Sequence, residues 1–336
     1  MRAYTIQGKG IEALKPADLP RPAPGHGQVL VRIRATGLNY RDLMMAEGRY
    51  GGKGAQEGLI PLSDGAGEVV EVGDGVTRVR VGDRVAGIFM QGWVEGRLDA
   101  AKSKTALGGS VPGVLAEYVA FDHQGLIHIP GHLGYEEAAT LPCAAVTAWN
   151  ALFVTGTVGA GDAVLVQGTG GVSVFAAQFA HLAGARVLAT SSSDEKLARL
   201  RQLVGGEGVN YKTNPDWDKW AVGATAGVGV DHVVEIGGPG TLGRSLNAVR
   251  IMGEVSLIGV LTGVAGEVST GAILGKHVRV LGIYVGSRAM FEEMNRAIAL
   301  HKLRPVVDRV FPFDRAPEAY EYLKSGRHFG KIVITV

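Results

Sequence analysis

A glycine-rich turn between a strand and a helix is the feature that most constrains how this chain can fold. The apolar run Ala163–Gln167 leads directly into Gly168-Thr169-Gly170-Gly171-Val172-Ser173, and an Ala- and Phe-rich helical segment follows. Such a turn presents backbone N–H groups at a helix N-terminus, where the helix dipole favours a bound pyrophosphate. A glycine motif alone also fits an ordinary turn, but the flanking strand and helix support the binding interpretation. The pattern therefore predicts a dinucleotide site here, with the Ser173 hydroxyl as a candidate phosphate contact.

Two styles of sequence divide the chain into domains. Up to about residue 124, runs such as Val29–Ala35 alternate apolar and polar residues and are separated by Gly-Asp and Asp-Gly turns, as in half-buried antiparallel strands. From Tyr135 onward, short β-branched runs alternate with Ala- and Leu-rich helical segments, beginning with a helix predicted over Tyr135–Thr155. Strand–helix alternation indicates a parallel sheet. We predict an α/β fold, with a doubly wound parallel sheet of the Rossmann type over 125–286 and a discontinuous β-rich domain over 1–124 and 287–336.

The end of the second strand of this parallel sheet bears on the choice of cofactor. An NAD-specific site usually has Asp or Glu there, whereas this strand runs into Ser191-Ser192-Ser193. Asp194 and Glu195 fit a helix capping box that begins at Ser192. Lys196 could pair with a 2′-phosphate, although a solvated surface lysine is the simpler alternative. The site therefore favours NADP(H), with NAD(H) as the alternative.

Composition narrows the class of protein. The chain has 336 residues and a net charge of +2, so electrostatics give no reason to expect nucleic acid or an anionic membrane as a partner. The first ten residues lack the apolar run of a secretory signal, and no apolar run reaches membrane-spanning length. Cys143 is the single cysteine and forms no internal disulfide. A cytoplasmic protein is expected, with Cys143 a buried small hydrophobe or, as the alternative, a reactive thiol.

Five segments together resemble the medium-chain dehydrogenase/reductases, and within them the zinc-independent, quinone oxidoreductase-like branch. They are GLNYRDLMMAEGRY (37–50), PLSDGAGEVVEVGDGV (61–76), VGDRVAG (81–87), EEAATLPCAAVTAWNAL (136–152) and VLVQGTGGVS (164–173). The resemblance extends along nearly the whole chain. It implies a GroES-like catalytic domain beside the Rossmann domain.

The resemblance also implies that zinc is absent. Zinc alcohol dehydrogenases of the superfamily have Cys, His and Cys ligands at places that hold Asn39, Ser63 and Cys143 here. One thiol cannot replace a site of three ligands. The family's structural zinc lobe should fall near Met90–Gly113, a stretch without Cys or His. We therefore expect no metal site.

The motif Asn39-Tyr40-Arg41-Asp42, with Tyr50, resembles the zinc-free quinone oxidoreductases. In that branch the matching Asn and Tyr lie near the nicotinamide and the substrate carbonyl. Asn39 could donate to a developing oxyanion, and Tyr50 could do the same or donate a proton. Ser63 is a weaker catalytic candidate. The alternatives are that Asn39 caps a helix starting at Arg41 and that Tyr50 is a loop aromatic, with Asp42 structural.

Further cofactor contacts carry over by resemblance, residue by residue. Thr147 matches a contact to the nicotinamide ring, which Gly259-Val260-Leu261 and Tyr284-Val285 should border. Tyr211 should lie near the adenosine phosphate, and Lys331 matches a basic residue that reaches the pyrophosphate.

The implied reaction is hydride transfer without a Lewis acid. Quinones or α,β-unsaturated carbonyls are favoured as small-molecule acceptors because they spread negative charge over a conjugated system. An alcohol dehydrogenase or carbonyl reductase, and an NADPH-binding crystallin-like protein without turnover, are the alternatives. We also expect a homodimer joined through the strand Val278–Tyr284. The loop 91–113 could cover the substrate cleft, form an oligomer contact or be a surface excursion.

Overall fold

The structure, a computed structural model, describes residues 1–50 and 56–336, which group into two units, 1–146 with 286–336 and 147–285. In the first part of the chain the strands are β1 (Arg2–Ile6), β2 (Leu14–Asp18), β3 (Gln28–Gly37), β4 (Asp64–Val72), β5 (Arg84–Gly87), β6 (Tyr118–Asp122) and β7 (Leu126–His128). The helices there are α1 (Tyr40–Ala46), α2 (Ala100–Ser103), α3 (Tyr135–Ala138) and α4 (Val146–Trp149).

The second unit alternates strands and helices. Its elements are β8 (Ala163–Gln167), α5 (Gly171–Leu182), β9 (Arg186–Ser191), α6 (Asp194–Val204), β10 (Glu207–Asn210), α7 (Trp217–Ala224), β11 (Val230–Glu235), α8 (Pro239–Ala248), β12 (Val249–Leu257), α9 (Thr270–Lys276) and β13 (Arg279–Gly282). The chain then returns to the first unit through α10 (Arg288–His301), β14 (Val307–Pro312), α11 (Ala316–Lys324) and β15 (Lys331–Thr335).

The second unit is built on the predicted doubly wound sheet. Its strands lie in the order β10-β9-β8-β11-β12-β13, and all neighbours are parallel. Leu165, Val233 and Val255 are fully buried, because central strands of such a sheet are covered on both faces. The first strand of the unit lies at the centre, so the chain reverses direction along the sheet there. Such a switch point lies above the carboxyl end of β8, where the glycine-rich turn begins.

The first unit is β-rich, as predicted. Its main sheet has the order β14-β15-β3-β4-β5-β7, and β6 also pairs with β3. The strands are antiparallel except for the pair β14 and β15. Val29, Val31 and Ile33 alternate along β3 and pack into one core with Ile332 and Ile334 of β15. This α/β arrangement of a β-rich domain and a Rossmann sheet confirms the predicted fold class.

Three strand ends bring distant residues together in the first unit. Gly37, the last residue of β3, pairs with Asp64, the first residue of β4, and Gly37 also pairs with Val333 of β15. The residues that follow β3, precede β4 and begin β15 therefore meet at one end of the sheet.

The chain from residue 126 to 146 lies in the first unit. Strand β7 pairs with β5, with His128 opposite Val85, which draws the following residues to the same unit. The boundary between the units therefore falls at residue 147, later than the predicted 125.

The helix predicted over Tyr135–Thr155 is broken. Two short α-helices, α3 and α4, are separated and followed by π-helical segments, Leu141–Ala145 and Asn150–Val154. Pro142 lacks a backbone N–H, so it cannot continue the ladder from α3. In the described ranges, no helix is both long and apolar enough to cross a membrane.

Candidate functional site

The glycine-rich turn has the backbone geometry of a phosphate site. Gly168 has a φ of 69°, a left-handed conformation that suits glycine, and its N–H donates to the Thr190 carbonyl at 2.8 Å. Helix α5 then begins at Gly171 with Gly170 as its N-cap. The first N–H groups of any helix have no partner within the helix, so this terminus can bind an anion. The turn thus fits the pyrophosphate of a dinucleotide.

Ser173 supports this turn from the inside. Its side chain is fully buried, and its hydroxyl donates to the Gln167 carbonyl at 2.6 Å. The predicted contact between this hydroxyl and phosphate stays a prediction, and here the hydroxyl is bound inside the turn. A small side chain is still required here, since α5 packs directly against β8.

A buried network, which sequence analysis missed, joins the carboxyl ends of β8 and β11. Gln167 Nε2 donates to Glu235 Oε2 and to Ser245 Oγ, each at 2.7 Å. Glu235 Oε1 accepts from the Gly237 N–H at 2.7 Å and from the Thr241 hydroxyl at 2.6 Å. The sequence feature that could have predicted this network is the polar residue, Gln167 or Glu235, at the end of each apolar strand. The network fixes the two turns on either side of the switch point.

Strand β9 ends at Ser191, the first of the three serines predicted to lie at the adenosine end of a cofactor. Ser193 caps α6 by accepting from the Lys196 N–H at 3.4 Å, and the helix begins at Asp194. The predicted capping box between Ser192 and Glu195 is wrong, since the cap lies one residue later. Asp194 and Glu195 are exposed acidic residues in the first turn, where their negative charges interact favourably with the helix dipole.

Tyr211 lies beside this tip. Its N–H donates to the Ser191 carbonyl at 2.9 Å, and its side chain is 42% exposed. The contact of Tyr211 with the adenosine end of a cofactor stays a prediction.

The residues predicted to border the nicotinamide follow two paired strands. Leu257 of β12 pairs with Gly282 of β13, so Gly259-Val260-Leu261 and Tyr284-Val285 emerge at the same sheet edge. A β carbon on Gly259 would lie 2.0 Å from the Ile236 carbonyl oxygen, so only glycine fits there. Val260, Leu261 and Tyr284 are partly exposed.

Val285 has an unusual backbone. It is buried and has a φ of 58°, which is strained for a β-branched residue. Its carbonyl accepts from Asn150 Nδ2 at 2.7 Å, which holds this conformation. Thr147, in α4, is also buried within this unit.

Asn39, Asp42, Ser63, Asp64, Cys143 and Lys331 form what we call the polar cluster, at the sheet end where β3, β4 and β15 meet. Lys331 is 3% exposed. Its ammonium donates to the Leu38 carbonyl and, at 2.6 Å, to Asn39 Oδ1, and it lies 3.9 Å from Asp64 Oδ2. The prediction that Lys331 reaches a pyrophosphate stays a prediction, and here its ammonium binds inside the first unit.

Asp64 is the anion of the polar cluster. Its Oδ1 accepts from the Ser63 hydroxyl at 2.6 Å, and its Oδ2 accepts from the Cys143 N–H at 3.1 Å. Burial raises the pKa of Asp64, while Lys331 and these hydrogen bonds act to lower it. Ser63 is fully buried and its hydroxyl donates its hydrogen bond to Asp64, which supports that carboxylate. The catalytic role of Ser63 stays a prediction.

Asn39 caps a helix, which is one of its two predicted roles, and its predicted hydrogen bond to an oxyanion stays a prediction. Its backbone N–H donates to Asp42 Oδ2 at 2.8 Å, so it caps α1, which begins at Tyr40 rather than Arg41. Its side-chain Oδ1 binds Lys331, and its Nδ2 is buried without a hydrogen-bond partner among the described residues. Burial raises the pKa of Asp42 to about 6, against the nearby Arg41 guanidinium.

Arg41 connects the candidate Tyr50 with the loop 91–113. Its guanidinium carbon lies 5.2 Å from the centroid of the Tyr50 ring and 4.9 Å from that of Phe89. Its terminal N–H groups donate to the Leu107 carbonyl at 2.9 Å and the Gly108 carbonyl at 3.1 Å. Tyr50 is an aromatic residue of a loop and is held by a cation–π contact, and its catalytic role stays a prediction.

The loop 91–113 packs into the first unit at both ends. Trp93 is 5% exposed and its indole N–H donates to the Gly96 carbonyl at 2.9 Å. The Trp93 carbonyl accepts from the Arg288 N–H at 3.0 Å, at the start of α10. Ala106 to Gly109 are buried, which excludes a purely surface excursion.

The polar cluster has a neutral thiol at its edge. Burial raises the pKa of the Cys143 thiol, and the Asp64 carboxylate raises it further. A thiol with a raised pKa is a poor nucleophile and a poor metal ligand. Among residues 1–50 and 56–336, no group of three His, Cys, Asp or Glu side chains is arranged to hold a metal ion.

The chain is similar to known proteins along its whole length. Residues 25–131 match the family described as "Alcohol dehydrogenase GroES-like domain", and residues 171–300 match "Zinc-binding dehydrogenase". The zinc-type alcohol dehydrogenase-like protein C1773.06c of Schizosaccharomyces pombe is 43% identical, over 97% of this chain and 96% of its own length. The quinone oxidoreductase of Rattus norvegicus is 28% identical, over 99% of this chain and 97% of its own length.

Solved structures agree with these relatives. A protein from Sinorhizobium meliloti 1021, provisionally assigned as an alcohol dehydrogenase, is 40% identical with a TM-score of 0.92, over 100% of this chain and 98% of its own. A structure described as an NAD-dependent alcohol dehydrogenase is 34% identical with a TM-score of 0.90, over 100% of both chains. Together with the strand order and the glycine-rich turn, these similarities show that the chain is an alcohol dehydrogenase-like oxidoreductase of the medium-chain dehydrogenase/reductase superfamily.

Proposed function

We propose that this oxidoreductase works without zinc and transfers hydride from NADPH to a quinone or an α,β-unsaturated carbonyl. The observation that carries the proposal is the contact between the Lys331 ammonium and Asn39 Oδ1. Asn39 holds the place of a zinc ligand in the zinc-dependent relatives. Here its amide oxygen binds a cation of the protein itself.

The donor set at this place does not suit zinc. Zinc in proteins binds thiolate sulfur, imidazole nitrogen or carboxylate oxygen. The ammonium on Asn39 would repel a metal ion, and the Ser63 hydroxyl donates to Asp64. The raised pKa of Cys143 favours the neutral thiol.

The second unit supplies the residues that would hold the cofactor. Gly168 to Gly171 would bind its pyrophosphate, and Ser191, Ser193 and Tyr211 would surround its adenosine end. When bound, the nicotinamide supplies the hydride. NADPH is favoured over NADH because β9 ends without a carboxylate, which would repel a 2′-phosphate, and because Lys196 lies in the first turn of α6.

Hydrogen bonds, rather than a Lewis acid, would stabilise the acceptor. Asn39 Nδ2 is buried without a partner in the described part of the chain, so an oxyanion would satisfy it. The Tyr50 hydroxyl is the second candidate donor. Donors of this kind suit conjugated acceptors, because the negative charge spreads over several atoms.

A second candidate function is plain alcohol or aldehyde interconversion. The names of the relatives from S. pombe and S. meliloti favour it, since both refer to alcohol dehydrogenases. A cofactor-binding protein without turnover is the third, crystallin-like possibility.

The test is oxidation of NADPH and NADH by metal-stripped protein. The acceptors are 1,4-benzoquinone, 9,10-phenanthrenequinone, an enone and a simple aldehyde, offered separately. We expect NADPH-linked reduction of the quinones or the enone that survives chelator. Turnover on the aldehyde alone would support the second function, and binding without turnover would support the third.

We also propose that the protein is a homodimer. Strand β13 is at the edge of the parallel sheet, and Val280 and Leu281 are only partly buried. An edge of this kind readily pairs with a second copy. Light scattering after size exclusion should give twice the chain mass, and a monomer at micromolar concentration would exclude the dimer.

A further inference from the structure

We propose that Lys331 is a positioning residue that fixes the orientation of the Asn39 amide, so that Nδ2 is presented to the acceptor. This inference rests on the proposed function. It differs from the role implied by resemblance, in which Lys331 reaches the cofactor pyrophosphate.

The chemistry of the two groups determines the orientation. An ammonium has three donors and no acceptor, while an amide has an accepting oxygen and a donating nitrogen. With Lys331 Nζ 2.6 Å from Asn39 Oδ1, the reversed amide would set N–H groups against a buried cation. The flipped state is therefore strongly disfavoured, and Nδ2 must point away from Lys331.

The orientation leaves a polar atom that needs a partner. Nδ2 is buried and makes no hydrogen bond with the residues that the structure describes. An amide nitrogen carries two hydrogens, so Nδ2 can donate to an acceptor placed beside it.

Asp64 is the counterion that stabilises the buried ammonium of Lys331. A buried charge without a counterion is costly, and Asp64 Oδ2 is 3.9 Å from Lys331 Nζ. Asp64 is itself held by Ser63 and by the Cys143 N–H. Lys331 could therefore have a purely structural role as the partner of Asp64, and an experiment must separate the two roles.

The experiment compares Lys331→Met, Asn39→Ala, the double variant Asn39→Ala/Lys331→Met and the charge-neutral double variant Asp64→Asn/Lys331→Met. For each, kcat, the dissociation constant for NADPH and Tm are measured. Lys331→Met should lower kcat about 10-fold to 100-fold, somewhat less than the roughly 10²–10³-fold loss of an oxyanion donor. The dissociation constant for NADPH should change less than about twofold, well under the tenfold that 1.4 kcal/mol represents.

Two results would confirm action through Asn39. In the Asn39→Ala background, Lys331→Met should cost little further kcat, because a positioning residue has nothing left to position. Asp64→Asn/Lys331→Met should recover much of the lost Tm but not the lost kcat.

Three results would overturn it. Full recovery of kcat in the charge-neutral variant would show that Lys331 only balances Asp64. Additive losses in kcat for Asn39→Ala and Lys331→Met would show independent roles. A large rise in the NADPH dissociation constant, with kcat unchanged at saturation, would assign Lys331 to the pyrophosphate.

Lys276 offers a matched control. Its ammonium donates to the carbonyls of Leu246, Asn247 and Val249, so it is a lysine held by backbone oxygens in the other unit. Lys276→Met should lower Tm and leave kcat unchanged where the protein is folded.

If the wild type reduces no acceptor, the proposed function is wrong, and the inference about Lys331 is tested separately. The coupling between Lys331 and Asn39 is then measured by the free energy of unfolding. Lys331→Met should lower this free energy clearly less in the Asn39→Ala variant than in the wild type. An equal loss in both would refute the proposed orientation of the amide.

Discussion

Gly37 and the Ala139 carbonyl are in such close contact that a β carbon on Gly37 would lie 2.3 Å from that oxygen. Gly37 ends β3, and Ala139 follows α3 and leads into the segment that carries Cys143. The close approach brings the Cys143 N–H to Asp64 Oδ2. The absence of a side chain at Gly37 therefore allows Cys143 to reach Asp64 in the polar cluster.

Gly37→Ala should disrupt the cluster without altering any of its side chains. The added methyl group must displace the Ala139 backbone, which we expect to cost about 1–3 kcal/mol of stability and to lower kcat. Gly223 in α7 is the control, since no atom lies within 4 Å of the place that a β carbon would occupy there. Gly223→Ala should stabilise by about 0.5–1 kcal/mol, because alanine is the better helix former. Unchanged urea midpoint and kcat in Gly37→Ala would refute the close approach.

Lys196→Gln should discriminate between the two cofactors. If Lys196 pairs with a 2′-phosphate, the KM for NADPH should rise about fivefold, equivalent to about 1 kcal/mol for a solvent-exposed ion pair. The KM for NADH should stay the same, because NADH has no 2′-phosphate. Lys219→Gln is the control, since Lys219 of α7 pairs with Asp216, the N-cap of that helix. Equal KM values for NADPH in Lys196→Gln and the wild type would assign Lys196 to the solvated surface.

His232 should make the parallel sheet sensitive to acid. Its Nδ1 lies 3.1 Å from the Glu254 carboxylate and its Nε2 lies 3.0 Å from the Ser256 hydroxyl. Burial lowers the pKa of His232 from 6.5 to about 4, and the Arg279 guanidinium adds to the effect. The folded protein therefore holds this imidazole neutral, as donor to Glu254 and acceptor from Ser256.

The sign of the pH effect follows from this lowered pKa. Between pH 6.5 and about 4 the unfolded chain binds more protons at His232 than the folded one. Stability should therefore fall as the pH falls through this window, by up to about 3 kcal/mol at 1.36 kcal/mol per pKa unit. The raised pKa of Asp42 acts in the opposite direction, but it is common to the wild type and the variants compared.

Urea unfolding from pH 7 to pH 4 measures this effect. His232→Gln should be less stable at pH 7 and should lose less further stability on acidification. His181→Gln is the control, because His181 is exposed on α5 and should keep the wild-type slope. Identical slopes for His232→Gln and the wild type would show that His232 is not the acid-sensitive group.

Arg41→Lys should release the loop 91–113 while keeping the charge. Lysine cannot donate to the Leu107 and Gly108 carbonyls in the same planar geometry, nor stack equally on Tyr50 and Phe89. We expect faster hydrogen exchange in the loop and a higher KM for the acceptor, with the NADPH dissociation constant unchanged. Arg309→Lys, which alters an exposed arginine stacked on Tyr322, should change none of these. Wild-type exchange in the loop of Arg41→Lys would contradict this role.

Local patterns were enough to predict the Rossmann sheet. The strand Ala163–Gln167, the glycines after it and the β-branched runs that follow each depend on residues close together in sequence. The errors in predicting helix boundaries were also local. A helix cap at Ser193 instead of Ser192 is a shift of one residue, and Pro142 breaks a helix whose composition alone favours continuity.

The polar cluster could be predicted only in part. The resemblance identified Asn39, Ser63, Cys143 and Lys331, but not the hydrogen bonds that join them. Lys331 and Asn39 are 292 residues apart, and they meet because β15 pairs with β3. The pairing of strands across the whole chain sets this contact, and no local pattern near Lys331 signals it. The Gln167–Glu235 pair, 68 residues apart, was missed for the same reason.

The most direct test of zinc-free hydride transfer is a single comparison of metal content and turnover. Zinc per chain is measured by mass spectrometry after chelation, and NADPH-linked reduction of 9,10-phenanthrenequinone and an enone is measured on the same sample. We predict turnover at the untreated rate with far less than one zinc per chain, and a loss of about 10²-fold in Asn39→Ala. Loss of turnover on chelation, restored by added zinc, would contradict the account.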